Sequence, residues 1–251
     1  MLGVVVPAHN EEAAIGACLE SIQAAARSPQ LNAEPVLIVV ALDDCSDRTG
    51  QIARLWGAVT LTVQARNVGI ARACGARHAV TAGARWLAFT DADSVVAPDW
   101  LSAQLRQRSD AVCGTIEVRD WGHYGDEVRR HHLQHYQDSD GHRHVHGANL
   151  GVTTAAYQLV GGFKPLVSSE DVALVDALQT SGASIVWSAA PRVVTSARRA
   201  YRAPGGFGET LARIDRAVSN RHVSNPHVSN PHVSNLNVSN LNVSNRKEAA
   251  R

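Results

Sequence analysis

The chain has 251 residues, 45% of them apolar and 19% charged, which indicates a soluble globular protein with room for one sizeable domain and an appendage. A formal net charge of +1 argues against nucleic acid as a partner, because binding to phosphate backbones needs a strongly basic surface. The four cysteines have no paired spacing, which argues against a zinc site or a dense disulfide framework and fits a reducing cytosol. Since no apolar run reaches the ~18 residues of a membrane helix, we expect a cytoplasmic protein with no transmembrane segment, which could still contact a membrane at its periphery.

Residues 1–215 alternate between apolar runs and helical patterns. Four short apolar runs are expected to be buried strands, and they lie at 2–6, 36–42, 59–63 and 86–90. Asn10-Glu11-Glu12 is expected to begin the helix after the first strand, Ser46 to cap the helix after the second, and a third helix to cover 70–81. This alternation predicts an α/β fold with a mostly parallel central sheet covered by helices.

The second half of this region has a less regular pattern. Helices are expected at 98–107, 126–137, 153–159 and 170–180, and strands at 111–118, 185–187 and 193–194. Thr153 can cap the helix at 153–159, and Gly182 can end the helix at 170–180. The sequence does not set the pairing direction of the late strands.

Polar clusters follow three of the predicted strands at the point where each strand ends. They are Pro7-Ala8-His9-Asn10, Asp43-Asp44 and Asp91-Ala92-Asp93. Because the carboxyl ends of parallel strands share one edge of a sheet, and ligands of such sheets bind there, we expect a binding site built from these three clusters.

Asp91 and Asp93 are the sharpest local feature of the chain. Two carboxylates at the end of a buried strand suit a hard divalent cation such as Mg²⁺ or Mn²⁺, which prefers oxygen ligands and can neutralise a departing diphosphate. A turn exposed to solvent, in which aspartate is common, explains the same pattern. Both interpretations stay open at this point.

Other polar residues have both a functional and a structural interpretation. Asn10, Glu11, Asp43 and Asp44 can line a nucleotide pocket or can cap the helices that follow them. Arg72 can pair with a diphosphate or can be an exposed helical arginine. The spacing of these residues alone does not separate the two roles.

Ser168-Ser169-Glu170-Asp171 begins the predicted helix at 170–180. An acidic residue at this end of a helix is stabilised as the anion. Asp171 could therefore take a proton from an acceptor hydroxyl as a general base, or it could simply cap the helix. Taken without the other motifs, capping is the simpler explanation.

Seven of the twelve histidines lie between His123 and His146. If His142, His144 and His146 alternate along a strand, they face one way and could bind a transition metal. A polar loop or a solvated surface is the commoner explanation of such a run, so the role of this segment also stays open.

Six stretches with polar or glycine residues follow one another along the chain. They are Val4-Val5-Val6-Pro7-Ala8-His9-Asn10-Glu11-Glu12, Asp43-Asp44-Cys45-Ser46-Asp47-Arg48-Thr49, Arg66-Asn67-Val68-Gly69-Ile70-Ala71-Arg72, Phe89-Thr90-Asp91-Ala92-Asp93, Gly147-Ala148-Asn149-Leu150 with Gly161-Gly162-Phe163, and Glu170-Asp171. In this order they resemble the motifs of the family 2 inverting glycosyltransferases, which are nucleotide-diphospho-sugar transferases with the GT-A fold. The resemblance covers about residues 2–200.

This resemblance implies a nucleotide-diphosphate sugar as donor and a divalent metal, Mn²⁺ or Mg²⁺, as cofactor. The nucleoside would be surrounded by Pro7, Ala8, Asn10, Glu11, Asp43 and Asp44. Arg72 would lie near the diphosphate, and Asp91 and Asp93 would flank the metal, with Asp91 also near the donor. Asn149 would lie with Gly147 beside the donor sugar or the acceptor.

The same resemblance makes Glu170 and Asp171 the catalytic carboxylates, with Asp171 as the base of a single in-line displacement that inverts the anomeric centre. Two departures from the family pattern matter. Some relatives have a late histidine as a further metal ligand, whereas this chain has the arginines of 195–199. The Gln-x-x-Arg-Trp motif of processive polymer synthases is also missing, which favours the transfer of a single sugar to an acceptor that stays unknown.

Two other functions remain open. A nucleotidyltransferase that makes an activated sugar usually has a glycine-rich phosphate loop after its first strand, where this chain has the acidic segment 7–12. A non-catalytic protein that binds nucleotide sugars would keep the fold without turnover, although Asp91, Asp93 and Asp171 are all present.

Residues 216–251 form a second unit, a low-complexity tail in which Val-Ser-Asn recurs every five positions from 218 to 243. Pro226 and Pro231 oppose both helix and sheet, and the tail has too little apolar surface to fold alone. We expect residues 1–215 to be the glycosyltransferase domain and the tail to be disordered, without a catalytic role.

Overall fold

A computed structural model describes residues 1–122, 124–198 and 206–224, and it contains one eight-stranded sheet with helices on both faces. The strands are β1 (Leu2–Ala8), β2 (Val36–Asp43), β3 (Val59–Val63), β4 (Trp86–Phe89), β5 (Val95–Val96), β6 (Ala111–Glu117), β7 (Leu150–Thr153) and β8 (Ile185–Val194). The helices are α1 (Ile15–Ala26), α2 (Thr49–Leu55), α3 (Val68–Thr81), α4 (Trp100–Arg106), α5 (Asp126–His135), α6 (Thr154–Leu159), α7 (Glu170–Thr180) and α8 (Phe207–Ser224).

The strand order of the sheet is β3-β2-β1-β4-β7-β6-β8-β5. β1 pairs in parallel with β2 and β4, and β2 pairs in parallel with β3. β7 runs antiparallel to β4 and β6, while β6 and β8 are parallel. The predicted α/β class with a mostly parallel sheet is therefore confirmed. Because β7 is antiparallel to β4, it starts at the edge where β1, β2 and β4 end.

The core lies on both sides of β1. Val4 and Val6 pack in one apolar cluster with Ile15 of α1, and Val5 packs in a second cluster with Ala76 of α3. Successive side chains of a strand point to opposite faces, so these two clusters lie on opposite faces of the sheet. Burial on both faces explains why the first strand has an unbroken apolar sequence.

The first two helices begin differently from the prediction. α1 starts at Ile15 and has no acidic residue in its first turn, because Asn10 has a left-handed backbone with φ of 52°. The Oδ1 of Asn10 accepts a hydrogen bond from the backbone N–H of Ser46 at 2.8 Å. At α2, Asp47 rather than Ser46 accepts from the N–H of Thr49, at 3.0 Å. The residues after β1 therefore join two loops instead of starting a helix.

The second half of the sheet contains strands that the sequence did not indicate. The two late strands predicted at 185–187 and 193–194 are one strand, β8, whose register with β6 shifts between Gly114 and Thr115. β5 and β7 were not predicted, because two and four residues are too short for a periodic pattern. The predicted cap of α6 is confirmed, since Thr153 Oγ1 accepts from the N–H of Ala156 at 3.2 Å.

The last described element changes the predicted end of the folded region. α8 crosses the predicted boundary at residue 215 and continues to Ser224, so residues 216–224 are helical and not part of a disordered tail. Leu211 of α8 is fully buried against Trp121 and Val128 of the α5 region. The remaining repeats, at 225–251, lie outside the described residues.

Among the described residues, no helix combines the length and the apolar character needed to cross a bilayer. The four cysteines are free thiols. Burial raises the pKa of Cys18 far above its ordinary value and that of Cys113 to about 12, so both stay protonated at neutral pH and serve as apolar packing groups.

Gly75 of α3 and Gly16 of α1 provide a matched test of how closely the helices pack. A Cβ at Gly75 would lie 2.4 Å from Val5 Cγ1, whereas a Cβ at Gly16 would lie 3.6 Å from Trp56 Nε1, an ordinary contact. Gly75→Ala is expected to lower the free energy of unfolding by about 1–3 kcal/mol through overpacking. Gly16→Ala should raise it by up to ~1 kcal/mol through helix propensity. Urea denaturation of both variants measures this, and equal shifts of the same sign would contradict the packing argument.

Candidate active site

A cleft of about 840 Å³ opens at the edge of the sheet where β1, β2 and β4 end. Its other walls come from the start of α7, from α5 with the segment after it, and from α8. The predicted site residues that line it are Pro7, Ala8, Glu11, Asp43, Arg72, Asp91, Asp93, Glu170 and Asp171. Three predicted site residues are not part of its lining, namely Asn10, Asp44 and Asn149.

Arg72 connects the end of β4 to the start of α7. It is buried, its Nη2 donates to Asp91 Oδ1 at 2.6 Å, and its Nη1 donates to Glu170 Oε1. Burial by itself would lower the pKa of Arg72, but the two carboxylates outweigh it and raise the pKa, so the guanidinium stays charged. Arg72 is thus neither an exposed helical arginine nor free to move, and it fixes the distance between two walls of the cleft.

Glycine is required beside Arg72. A Cβ at Gly147 would lie 2.4 Å from the guanidinium carbon of Arg72, and a Cβ at Gly69 would lie 2.5 Å from the carbonyl oxygen of Lys164. At Gly147 the backbone therefore approaches the guanidinium more closely than a side chain would allow, and at Gly69 the start of α3 approaches the backbone before α7 in the same way. This explains why two of the motif stretches contain glycine.

Asp171 and Glu170 are neighbours in the chain but have different surroundings. Asp171 is partly exposed to the cleft, and its Oδ2 accepts from the N–H of Gly147 at 2.8 Å while its Oδ1 accepts from the N–H of Val172 at 2.8 Å. These bonds hold the Asp171 carboxylate at the N-terminal end of α7, where it faces the cleft. Glu170 is buried, and burial raises its pKa against the opposing effect of Arg72. Of the two predicted catalytic carboxylates, Asp171 has the accessible position and Glu170 holds Arg72.

A second arginine lies at the Asp93 side of the cleft. Arg198 donates from Nη1 to Glu11 Oε2 at 2.8 Å and from Nη2 to Glu11 Oε1 at 2.7 Å. The same Nη2 lies 3.2 Å from Asp93 Oδ2. Burial raises the pKa of Asp93 to about 6, and Arg198 acts in the opposite direction. Both carboxylates of the Asp91-Ala92-Asp93 motif are therefore paired with guanidinium groups.

The arrangement of these carboxylates does not fit the divalent cation that the family resemblance implies. A cation such as Mn²⁺ needs several oxygen lone pairs directed at one point, whereas here oxygens of Asp91, Asp93 and Glu11 accept from N–H donors. Within the part of the chain that is described, no group of three or more histidine, cysteine, aspartate or glutamate side chains is placed to hold a metal ion.

The predicted nucleoside residues divide into two groups. Asp43 lies in the cleft, where its carboxylate accepts from the backbone N–H groups of Ala65, Arg66 and Asn67 at 2.7–2.9 Å and so shapes the loop before α3. Asp44 faces away from the cleft and pairs with Arg66 in an exposed salt bridge. Asn10 instead links the loops after β1 and β2, as described above.

Asn149 is a structural residue below the floor of the cleft. It is fully buried, its amide donates to the carbonyl oxygens of Thr115 at 2.7 Å and Pro191 at 2.8 Å, and its Oδ1 accepts from Trp100 Nε1 at 2.9 Å. Both amide protons are thus used by the protein. The side chain of Asn149 joins β6, β8 and α4, and its contact with the sugar or the acceptor stays a prediction.

The histidine-rich segment forms an aromatic wall of the cleft and not a strand. His144 stacks on Tyr136 with ring centroids 4.2 Å apart, and His142 stacks on His144 at 5.4 Å. The hydroxyl of Tyr136 accepts from the N–H of Ile116 and bonds His146 Nε2 at 2.9 Å. Burial, assisted by the other imidazoles, lowers the pKa of His146 to about 3, so this wall is uncharged there at neutral pH.

Some cleft residues were not anticipated from the sequence. They are Tyr136, and Phe207 with Ile214 of α8. His9, which belongs to the predicted polar cluster after β1, also lines the cleft, with its Nδ1 2.6 Å from the carbonyl oxygen of Asp43. The apolar spacing of Phe207, Leu211 and Ile214 has a helical period and is the signal that could have revealed α8. Tyr136 has no comparable signal, because its role depends on a hydrogen bond across the fold.

Arg72 and Arg66 provide a test of the buried ion pair. Arg72→Met is expected to lower the free energy of unfolding by about 3–5 kcal/mol, because Glu170 would remain buried without a partner. Arg66→Met, in the exposed pair with Asp44, should change stability little. Chemical denaturation at neutral pH measures both. A small loss in the Arg72 variant would mean that the pair does not hold the two walls together.

The sequence and the fold were then compared with known proteins. The family model described as glycosyl transferase family 2 matches residues 3–160, which is more than half of the chain and includes Arg72, Asp91 and Asp93. No curated protein was found to match the sequence.

Solved structures with the same fold include three that contain a nucleotide or a nucleotide sugar. The 1–349 fragment of TarS from S. aureus in complex with UDP-GlcNAc has a TM-score of 0.60 and 15% identity over 89% of this chain and 72% of that one. The mannosyltransferase PcManGT from Pyrobaculum calidifontis, in complex with GDP-Man and Mn²⁺, has a TM-score of 0.60 and 16% identity over 92% and 76%. GalNAc-T7 with UDP, GalNAc and Mn²⁺ has a TM-score of 0.56 and 16% identity over 90% and 50%.

Identities this low show the fold alone, and the chain spans only 43% of a longer TarS structure, with 17% identity and a TM-score of 0.59. The family model adds the sequence relation that the structures lack, since it matches the strands whose carboxyl ends form the cleft. On these grounds the chain belongs to glycosyl transferase family 2 and has the α/β GT-A fold of its glycosyltransferases.

Proposed function

We propose that this protein transfers one sugar at a time from a nucleoside-diphosphate sugar to an acceptor hydroxyl, with inversion at the anomeric carbon. The observation that carries the proposal is the bridge made by Arg72 between Asp91 and Glu170. Asp91 belongs to the motif expected at the donor diphosphate, and Glu170 precedes Asp171. The bridge therefore keeps a leaving-group side and a base side at a fixed separation across one cleft.

The donor class is supported by the size and chemistry of the cleft and by the family. A cleft of about 840 Å³ is within the range of pockets that enclose drug-sized ligands. The ends of β1 and β2 contribute carboxylates and backbone groups that suit hydrogen bonds to a ribose and a base. Solved structures of the same fold contain UDP-GlcNAc and GDP-Man. These support a nucleoside-diphosphate sugar without selecting the sugar or the base.

Asp171 is proposed as the general base. As the acceptor oxygen attacks the anomeric carbon, its proton passes to the Asp171 carboxylate. The bond between the anomeric carbon and the diphosphate oxygen breaks, and the departing nucleoside diphosphate takes the electron pair. Because the attack and the departure occur on opposite sides in one step, the configuration inverts. Glu170 acts through Arg72 and is a positioning residue.

The proposed transfer does not include a divalent metal. Mn²⁺ accompanies the sugar nucleotide or its parts in two structures of the same fold, and such a cation supplies electrostatic neutralisation of a departing diphosphate. Asp91 and Asp93 are the residues of this chain that the family resemblance assigns to it. Their pairing with Arg72 and Arg198 does not favour metal binding, so the proposed transfer is formulated without it.

Asp171→Asn tests the assignment of the base. The variant is expected to lose turnover by about 10²–10⁴-fold and to keep its stabilisation by nucleoside diphosphates in thermal melts. Asp176→Asn is the matched control, because Asp176 lies on the exposed side of the same helix. Turnover is followed as release of nucleoside diphosphate from a panel of nucleotide sugars and acceptors.

Three outcomes of this assay would contradict the proposal. Full turnover of Asp171→Asn would remove Asp171 as the base. Release of pyrophosphate from nucleoside triphosphates and sugar 1-phosphates, with no release of nucleoside diphosphate from nucleotide sugars, would indicate a nucleotidyltransferase. Thermal stabilisation by nucleotide sugars with no transfer or hydrolysis in the wild type would indicate a non-catalytic binding protein.

A further inference from the structure

Arg198 occupies an unusual position among the carboxylates of the cleft. Its guanidinium binds both oxygens of Glu11, at 2.7 and 2.8 Å, and approaches Asp93 Oδ2 at 3.2 Å. It lines the same cleft as Asp91 and Asp171, with 32% of its side chain exposed. A permanent positive charge therefore lies beside the carboxylates that the family resemblance assigns to a cation.

The position of Arg198 is set by strand pairing and does not depend on a chance meeting of long side chains. β5 follows Asp93 directly and pairs antiparallel with the end of β8, with Val95 opposite Val194. The hydroxyl of Ser94 then donates to Thr195 Oγ1 at 2.9 Å. Because the two segments are joined in this register, the residues just after β8 must pass alongside Asp93.

The remaining donors of Arg198 are suited to an anion. Arginine has five N–H groups, and the contacts with Glu11 and Asp93 use three of them within the described part of the chain. Nε and one Nη1 proton are left, in a side chain that is open to the cleft. These two N–H groups lie on opposite edges of the planar guanidinium, so Arg198 offers phosphate oxygens single hydrogen bonds together with its positive charge.

A divalent cation and Arg198 are alternatives at this position. Arginine stays charged at any pH at which the protein is folded, so a cation bound to Asp93 would be repelled by the neighbouring guanidinium. Binding a metal at Asp93 would also require Arg198 to move away from Asp93 Oδ2, from which its Nη2 is 3.2 Å distant.

We propose that Arg198 supplies the positive charge that holds the diphosphate of the donor, so that this enzyme binds and uses nucleoside-diphosphate sugars without a divalent metal. The inference rests on the proposed function. When the bond from the anomeric carbon to the diphosphate oxygen breaks, the oxygen keeps the electron pair and gains negative charge, which Arg198 stabilises. The acceptor proton goes to Asp171 as before.

Calorimetric titration of UDP and GDP into chelator-treated protein, with and without added Mn²⁺, tests this inference. The wild type is expected to bind at least one of them equally well in both conditions. Arg198→Met should weaken binding at least about tenfold, and Arg198→Lys should weaken it less because it keeps the charge. Arg85→Met is the matched control, since Arg85 makes the same two-bond pair with Glu34 outside the cleft and its loss should leave binding unchanged.

The outcomes separate this inference from the proposed function. Binding that requires Mn²⁺ in the wild type overturns the role of Arg198 and leaves the proposed sugar transfer in place. The role of Arg198 is also overturned if the Arg198→Met variant melts at the wild-type temperature and binds the nucleoside diphosphate as tightly as the wild type does. If neither UDP nor GDP binds in any condition, the titration is extended to ADP, CDP and dTDP, and the absence of binding by all five overturns the inference and the proposed function together.

Discussion

The buried ion pair of Arg72 with Asp91 and Glu170 is the interaction on which the rest of the cleft depends. A charged guanidinium away from water is stable only when carboxylates match its charge, and Arg72 has two of them, although its Nε has no hydrogen-bond partner among the described residues. Asp91 follows β4 and Glu170 begins α7, so the two ion pairs of Arg72 hold the sheet edge and the helix together. The same contact leaves Asp171 facing the cleft, supported by the N–H groups of Gly147 and Val172.

A second guanidinium pairs with carboxylates of the cleft in a similar way. Arg198 pairs with Glu11 and approaches Asp93, so four carboxylates of the cleft are paired with arginines from distant parts of the chain. Without these arginines, those carboxylates would repel one another in one partly buried cleft. The two guanidinium groups are positive charges that a negative ligand such as a diphosphate can contact, in a cleft whose lining contains more acidic side chains than arginines.

The sheet could be predicted because its signals are local. Buried parallel strands such as β1 and β2 are apolar throughout, and the polar residues that follow them must then meet at one edge. Asp43, Asp91, Asp93 and Asp171 were found in this way or through the resemblance to the family.

The roles of Asn149 and Arg198 could not be found from the sequence, because both depend on which strands pair. The amide of Asn149 donates hydrogen bonds to β6 and β8, which are distant in the chain. Arg198 lies beside Asp93 only because β5 pairs with β8. The start of α1 was missed for a related reason, since Asn10 bonds a loop 36 residues away instead of its own helix.

The central claim is a single displacement in which Asp171 assists attack from the side opposite the diphosphate. The most direct measurement is proton NMR of the first glycoside formed from an α-linked nucleotide sugar, which gives the configuration at its anomeric carbon. The account predicts a β-configured product. An α-configured first product would require retention and would contradict the role given to Asp171.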